Sequence, residues 1–416
     1  MNRKMAAGLA VTAGALALAA CSSPSSSSSA PPASAPASSA ASSAAASSAA
    51  SPSAASGGAG ASAIVGSSAF NDASLQALTT KIQGAIGSKS LSGVKIAMIT
   101  NGNASYWNEA KAGWNAAMKW LGGKGASGEF TEPTSSTASV QVSLLETLTS
   151  QGYTGWGVSA VTAQSLTTPI SQAVGKGVSV IAYDSPLPGT KAQLYIGTPN
   201  TTAGCDAGKA MTQAIGSGDV VAISGSLTAA NTQQRVSGFE QCAGSSVKVV
   251  QTLNDNQDVD TAVSDLQAAI QANPNIKGIY AVYSYDGGAA GQAVTASGNT
   301  GKITIVSDDG ESDTVSDVKS GLIAASILQR PYYQGYMLAY VLAADKVLGD
   351  SATEALVKPY YAAGDSGTRP ASITPATPET WQIWPRSPTS PSDTSIMAPA
   401  RPESSGPRTT RGRGRR

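Results

Sequence analysis

Several short segments of this chain set aromatic rings, carboxylates, amides and one arginine at spacings suited to holding a small polar molecule. Asn101-Gly102-Asn103-Ala104-Ser105-Tyr106-Trp107 follows an apolar run, and Asp184-Ser185-Pro186 follows another. Further along come Arg235-Val236-Ser237-Gly238-Phe239, Tyr283-Ser284-Tyr285-Asp286, Asp308-Asp309-Gly310 and Gln329-Arg330-Pro331. Aromatic faces suit the C–H faces of a sugar ring, and charged groups suit its hydroxyl rim. Charge-assisted hydrogen bonds contribute about 1.5–3 kcal/mol each, so four or five would hold a small polyol tightly. Bond-making chemistry has little to work with. The chain has no histidine, which removes the commonest general base, the commonest metal ligand and any Ser-His-Asp or Cys-His arrangement. No motif points to a lysine or carboxylate nucleophile, so the chain is read as a binder and not an enzyme, with no cofactor. The acidic clusters at 255–260 and 308–313 lack the glycine and terminal glutamate of a calcium loop, so no metal site is expected.

These segments need a scaffold that brings them together, and the pattern between them supplies one. Val94–Ile99 reads as a strand, and Trp107, Ala110, Trp114, Ala117 and Leu121 recur at helical spacing. Val140, Leu144 and Leu148 mark a second helix before the strand at Trp156–Ser159, and Leu166, Ile170 and Val174 a third before Val178–Tyr183. The alternation restarts after Pro199, with helices over Thr201–Ile215, Asn231–Ala243 and Asp260–Ala272. The strands of this second series are Val220–Ser224, Val247–Val250, Ile276–Ala281 and Ile303–Val306. Strands apolar on both faces and separated by helices imply parallel sheets covered on both sides, an α/β fold. Two such series imply two similar lobes. Ligands of such sheets sit beyond the carboxyl ends of the strands, where the polar segments lie.

Taken in order, Val94 to Lys358 resembles the periplasmic ribose-binding family, the type I sugar-binding proteins of ABC importers. Asn103, Tyr106 and Trp107 match the asparagine and paired aromatics after the first strand, and Arg235 to Phe239 an Arg-x-x-Gly-Phe segment. Asp184 matches the aspartate of an Asp-Arg pair in which Ser185 replaces the arginine. Asp308-Asp309-Gly310 stands for a Phe-Asp-Gly turn that carries a ligand-binding aspartate, and Gln329 for a hinge glutamine before proline. Tyr283 occupies an asparagine position and Gln257 an aromatic one. The resemblance implies two Rossmann-like lobes joined by a three-strand hinge. The first would use 93–197 with 330–364, the second 198–329. It also implies a monosaccharide or polyol ligand, with Tyr106 and Trp107 stacking on its ring. Asn103, Tyr283 and the hydroxyl-gripping Asp184, Arg235, Asp309 and Gln329 complete the set. Closure around the ligand would be what an ABC permease recognises. The departures at Ser185, Tyr283 and Gln257 count against ribose itself.

The N-terminus bears on location. Arg3 and Lys4 precede an apolar segment, Ala6–Ala20, too short to span a bilayer and stay there, and Leu18-Ala19-Ala20-Cys21 resembles a bacterial lipoprotein signal. Residues 1–20 are thus expected to be removed, leaving a lipid anchor on Cys21 as the sole membrane attachment. The Ser/Ala/Pro-rich stretch 21–64 reads as a mobile tether reaching roughly 35 Å. Outside the cytoplasm, Cys205 and Cys242 can form a disulfide or remain two thiols, since spacing does not give their separation. Residues 365–416, rich in Pro, Ser and Thr and ending Arg411-Gly412-Arg413-Gly414-Arg415-Arg416, read as a disordered basic tail. Net charge is +1, so no nucleic-acid partner is expected, and the protein is read as a monomer. Two rival readings stand beside transport. One is a sensor component that presents its ligand to a chemoreceptor or kinase ectodomain, the other an extracellular enzyme of unknown type.

Overall fold

The structure is a computed structural model that describes residues 72–360 and two short strands, 371–373 and 379–382. The expected signal peptide, Cys21 and the tether lie outside the described residues. The first lobe is built on β1 (Lys95–Ile99), β2 (Ser127–Thr131), β3 (Gly155–Val158), β4 (Ser179–Tyr183) and β5 (Leu194–Ile196). Its helices are α1 (Asp72–Ile86), α2 (Trp107–Gly123), α3 (Ala138–Ser150) and α4 (Ala163–Gly175). The second lobe carries α5 (Asn200–Ile215), β6 (Gly218–Ser224), α6 (Ala230–Ala243), β7 (Val247–Asn254), α7 (Val259–Ala272) and β8 (Ile276–Ala281). It continues with α8 (Asp286–Ala296), β9 (Thr304–Asp308), α9 (Ser312–Ser320) and β10 (Ile323–Leu328). The chain then returns to the first lobe as α10 (Pro331–Leu348) and α11 (Asp350–Val357), and ends with β11 (Ala371–Ile373) and β12 (Glu379–Gln382).

Strand order is β11-β5-β4-β3-β1-β2 in one sheet and β12-β10-β9-β8-β6-β7 in the other. Pairing is parallel throughout except for β12, which runs antiparallel to β10. Burial explains the parallel arrangement. Every residue of β3 and β4 is buried, and only the first residue of β1 and of β9 is partly exposed, because helices cover both sheet faces. In each sheet the order reverses at one point, between β1 and β3 and between β6 and β8, and such a switch point opens a crevice at the strand ends.

Close helix packing holds each lobe together. In the first, α10 lies against α2 at Gly113 and Gly335, where a Cβ would overlap the Tyr332 and Ala110 carbonyls respectively. In the second, α5 and α6 meet with equally little room. A Cβ at Gly204 would overlap the Arg235 carbonyl, and one at Gly238 that of Thr201. This approach brings the Cα atoms of Cys205 and Cys242 to 4.9 Å, and the two cysteines form a disulfide.

The chain crosses between sheets at 197–199, at 329–330 and between β11 and β12, which gives a hinge of three segments. The third crossing corrects one expectation. Residues 371–373 and 379–382 fall inside the stretch read as a disordered tail, yet their backbones extend the two sheets. The unpaired edges of β5 and β10 offer a row of hydrogen-bonding groups that any extended segment can satisfy, whatever its side chains. The rest of 361–416 lies outside the described residues.

Among the elements that the sequence reading did not name, three belong to the first lobe's framework. Strand β2, Ser127–Thr131, has no fully buried residue, and β5 has only three residues, so neither makes an apolar run. Helix α1 buries Leu75, Leu78, Ile82 and Ile86 against the first lobe. Its Gln83 amide donates to the Tyr340 hydroxyl of α10 at 2.7 Å.

Candidate functional site: a cleft between the lobes

A cleft of about 370 Å³, partly open to solvent, lies between the lobes, where the carboxyl ends of the two sheets face each other. Tyr106, Trp107 and Asp184 line it from the first lobe, Arg235, Tyr283 and Asp309 from the second, and Gln329 from the hinge. The eighth expected residue, Asn103, is solvent-exposed and outside the cleft, and Asn101 lines it instead. The loop after β1 turns at once, with the Thr100 hydroxyl donating to the Gly102 carbonyl at 2.6 Å. Only the earlier of the two asparagines therefore faces the second lobe.

Each lobe contributes one aspartate in the same strained backbone conformation. Asp184 follows β4 with φ 58°, and Asp309 follows β9 with φ 67°. Non-glycine residues in this region concentrate at functional sites. The Asp184 carboxylate accepts from the Tyr106 hydroxyl at 3.1 Å and the Ser159 hydroxyl at 2.7 Å. Burial raises its pKa, while the Arg235 charge and these two donors oppose the rise. Asp309 accepts from the Gln329 amide at 3.1 Å, and that glutamine in turn accepts from the Thr198 hydroxyl at 2.7 Å. Burial pushes the Asp309 carboxyl up to about 8, with Arg235 opposing and the Asp308 and Asp184 charges adding to it.

Arg235 is 1% exposed and tightly held. Its Nη1 pairs with Asp308 at 3.0 Å and donates to the Val282 carbonyl at 3.1 Å, and its Nε donates to the Asn200 side chain at 2.9 Å. Burial pushes Asp308 up to about 6, against the pull of the Arg235 charge, so the pair is ionised at neutral pH. Burial alone would lower the arginine pKa, but Asp308 and Asp309 outweigh it and keep the guanidinium charged. Nη2 is buried without a hydrogen-bond partner, on a residue that lines the cleft. A buried donor left in this way is expensive unless something else accepts from it.

The rings divide by lobe. Tyr106 meets Trp107 edge-on at 4.9 Å, and Trp107 meets Tyr183 at 5.8 Å. Trp107 is 3% exposed and belongs to the core of the first lobe, so it forms a wall of the cleft and a part of the interior at once. Tyr283 and Tyr285 face each other edge-on at 6.2 Å across from them. The Tyr285 hydroxyl donates to Asp255 at 2.7 Å. Asp255 and Asp286 are both fully buried and adjacent, and burial and mutual repulsion hold Asp286 well above the usual carboxylate range.

Direct contacts hold the cleft shut. The Gln257 amide donates to the Asn101 carbonyl at 3.3 Å, and the Ser226 hydroxyl to the Val161 carbonyl at 3.2 Å, each joining the second lobe to the first. Among the described residues no group of three or more His, Cys, Asp or Glu is arranged to hold a metal ion.

Residues 94–346, more than half of the chain, match the periplasmic binding protein domain. The chain belongs to the periplasmic binding protein domain family. Relatives of this binding protein include the D-allose-binding periplasmic protein of Escherichia coli (strain K12), 25% identical over 237 residues that cover 54% of this chain and 76% of the relative. Ribose import binding protein RbsB of Bacillus subtilis (strain 168) is 25% identical over 212 residues, 51% of this chain and 68% of RbsB. An ABC transporter solute-binding protein from Burkholderia graminis C4D1M, solved in complex with D-arabinose, superposes with a TM-score of 0.59 at 27% identity. It covers 63% of this chain and 91% of its own. XylFII superposes with a TM-score of 0.58 at 30% identity, covering 61% and 94%.

Sequence reasoning missed several residues that shape the site of this binding protein. The Tyr195 hydroxyl donates to the Asp184 carbonyl at 2.7 Å and accepts from the Asn200 amide at 3.1 Å, which links the Asp184 turn through the hinge to Arg235. Gln141 is fully buried and ties the end of β1 to the end of β3, donating to the Thr100 and Ser159 carbonyls at 3.0 and 2.7 Å. Asn101, Asn231, Ser284 and Tyr285 line the cleft directly. Tyr285 stood in the quoted Tyr-Ser-Tyr-Asp segment, and its aromatic type was the signal available for it.

Proposed function

We propose that this chain is an extracytoplasmic solute-binding protein that captures a monosaccharide or polyol between its lobes and delivers it to an ABC permease. The carrying observation is the pair Asp184 and Asp309, one at a strand end of each lobe, on a single cleft bridged by hydrogen bonds between the lobes. A guest that touches both carboxylates interacts fully only with the closed form, so binding shifts the equilibrium toward closure. Its hydroxyls would meet Asp184, Arg235, Asp309 and Gln329, and its C–H faces the rings of Tyr106 and Trp107. The Cys205–Cys242 disulfide supports work in an oxidising compartment. The sequence around Cys21 supports a lipid anchor there. No bond of the guest is made or broken in this reading.

A second reading has one observation behind it. XylFII also occurs in a XylFII-LytSN complex, so the closed form could be read by a protein other than a permease. Both readings share the capture step. Thermal-shift screening against pentoses, hexoses, polyols and their amino derivatives tests that step. A guest at a hundred times its Kd adds about 2.7 kcal/mol of stability. Silence across the whole panel would sink sugar capture in both forms.

A further inference from the structure

The cleft holds more carboxyl groups than its one cation can pair. Asp184 and Asp309 line it at 3% and 6% exposure, with Asp308 immediately behind. Among the described lining residues Arg235 is the sole cation, and Asp308 already pairs with it at 3.0 Å. Asp184 and Asp309 therefore have neutral donors around them but no cation of their own. Two departures from the resembled motifs produce this imbalance: Ser185 stands where an arginine is expected, and Asp308 where a phenylalanine is. Ser185 is fully buried, and its hydroxyl has no hydrogen-bond partner. Around the carboxylates stand Tyr106, Trp107, Tyr283 and Tyr285, and the faces of such rings attract cations. The unpartnered Nη2 of Arg235 adds a demand of the opposite kind, for an acceptor such as a hydroxyl.

We propose that the preferred guest is a monocationic sugar derivative, an amino sugar or amino polyol. Its ammonium is held by Asp184 and Asp309, and one of its hydroxyls accepts from Arg235 Nη2. This rests on the reading of the cleft as a sugar site and names the class of sugar. An anionic sugar would meet the Asp184 carboxylate with the one arginine already paired to Asp308, and a neutral one would leave Asp184 without a countercharge. The groups facing Asp309 are Asp184, Asp308, Arg235 and the Gln329 amide. With its carboxyl pushed up to about 8 by burial, against the pull of Arg235, the empty cleft holds a proton on Asp309 at neutral pH. An arriving ammonium takes over the proton's role and releases it.

Calorimetric titration of the full chain at pH 6.5 tests this. The probes are D-glucosamine, D-galactosamine and D-mannosamine, each beside its parent hexose and its N-acetyl derivative, in two buffers of different ionisation enthalpy. At least one amine should bind about tenfold or more tightly than both neutral counterparts, with proton release. Asp309→Asn should remove the preference and the proton release together. Neutral sugars that bind as tightly as the amines would overturn the amine proposal and leave sugar capture standing. Absence of binding by every probe would overturn the amine proposal, and sugar capture itself would then be decided by the wider thermal-shift panel.

Discussion

Asp309 gives the protein a pH dependence whose sign follows from its burial. In the unfolded chain an aspartate titrates near 4, about the usual value. In the folded protein, burial pushes this one up to about 8, with Arg235 opposing. Between those values the folded state binds the extra proton, so the stabilisation is complete below about pH 4 and is lost progressively up to about pH 8. Asp308, pushed up to about 6 by burial, works in the same direction over a narrower window. Urea midpoints of the ligand-free protein should therefore fall between pH 5 and pH 8. Asp309→Asn should flatten that slope, and an identical slope would remove Asp309 as its source. Arg235 calls for a different experiment. Arg235→Met leaves Asp308 buried without its cation and should destabilise by about 3–5 kcal/mol. Adding Asp308→Leu should restore much of this, as a double-mutant cycle in denaturant would show.

At the scale of elements, the helix pair α5–α6 positions Arg235, and two kinds of contact hold that pair. One is the close approach at Gly204 and Gly238, the other the Cys205–Cys242 disulfide. Cys242→Ser should lower stability by about 2–4 kcal/mol, measured as the difference in melting with and without reductant. Ligand affinity below the melting range should hardly change, because the disulfide makes no contact with the cleft. Gly238→Ala should do the reverse. Its Cβ would overlap the Thr201 carbonyl and push α6 off α5, and the affinity loss should exceed that of Cys242→Ser at equal stability. Equal affinity in the two variants would mean that helix spacing does not control Arg235.

The whole molecule depends on the lobes being able to meet. Gly102 lies at their junction, and a Cβ there would overlap the Gln257 amide of the opposite lobe. Both the Gln257 amide and, within its own lobe, the Ser136 hydroxyl end flexible side chains, so Gly102→Ala should fold normally and close after displacing Gln257 from its hydrogen bond to Asn101. Small-angle scattering should then still show contraction when sugar is added, with affinity reduced by the loss of that one inter-lobe hydrogen bond, about 0.5–1.5 kcal/mol. A variant that no longer contracts on ligand addition would show that the junction does not tolerate a methyl group.

The sequence by itself determined the two α/β series. A strand buried on both faces must be a continuous apolar run, as β3 and β4 are, and a covering helix must be apolar every three or four residues. Both are local periodicities. It also displayed most of the cleft residues, because polar and aromatic residues immediately after apolar strands have few other uses. It did not display β2 or β5, which carry too few buried residues to make a pattern. Nor could it choose Asn101 over Asn103, since a loop has no fixed period to aim a side chain. The tertiary structure decided the rest. Whether Cys205 reaches Cys242, whether Asp308 spends the charge of Arg235, and whether the Tyr195–Asn200–Arg235 chain runs through the hinge all depend on distances between residues remote in sequence. The net charge of the cleft follows from those pairings, and composition alone cannot supply it.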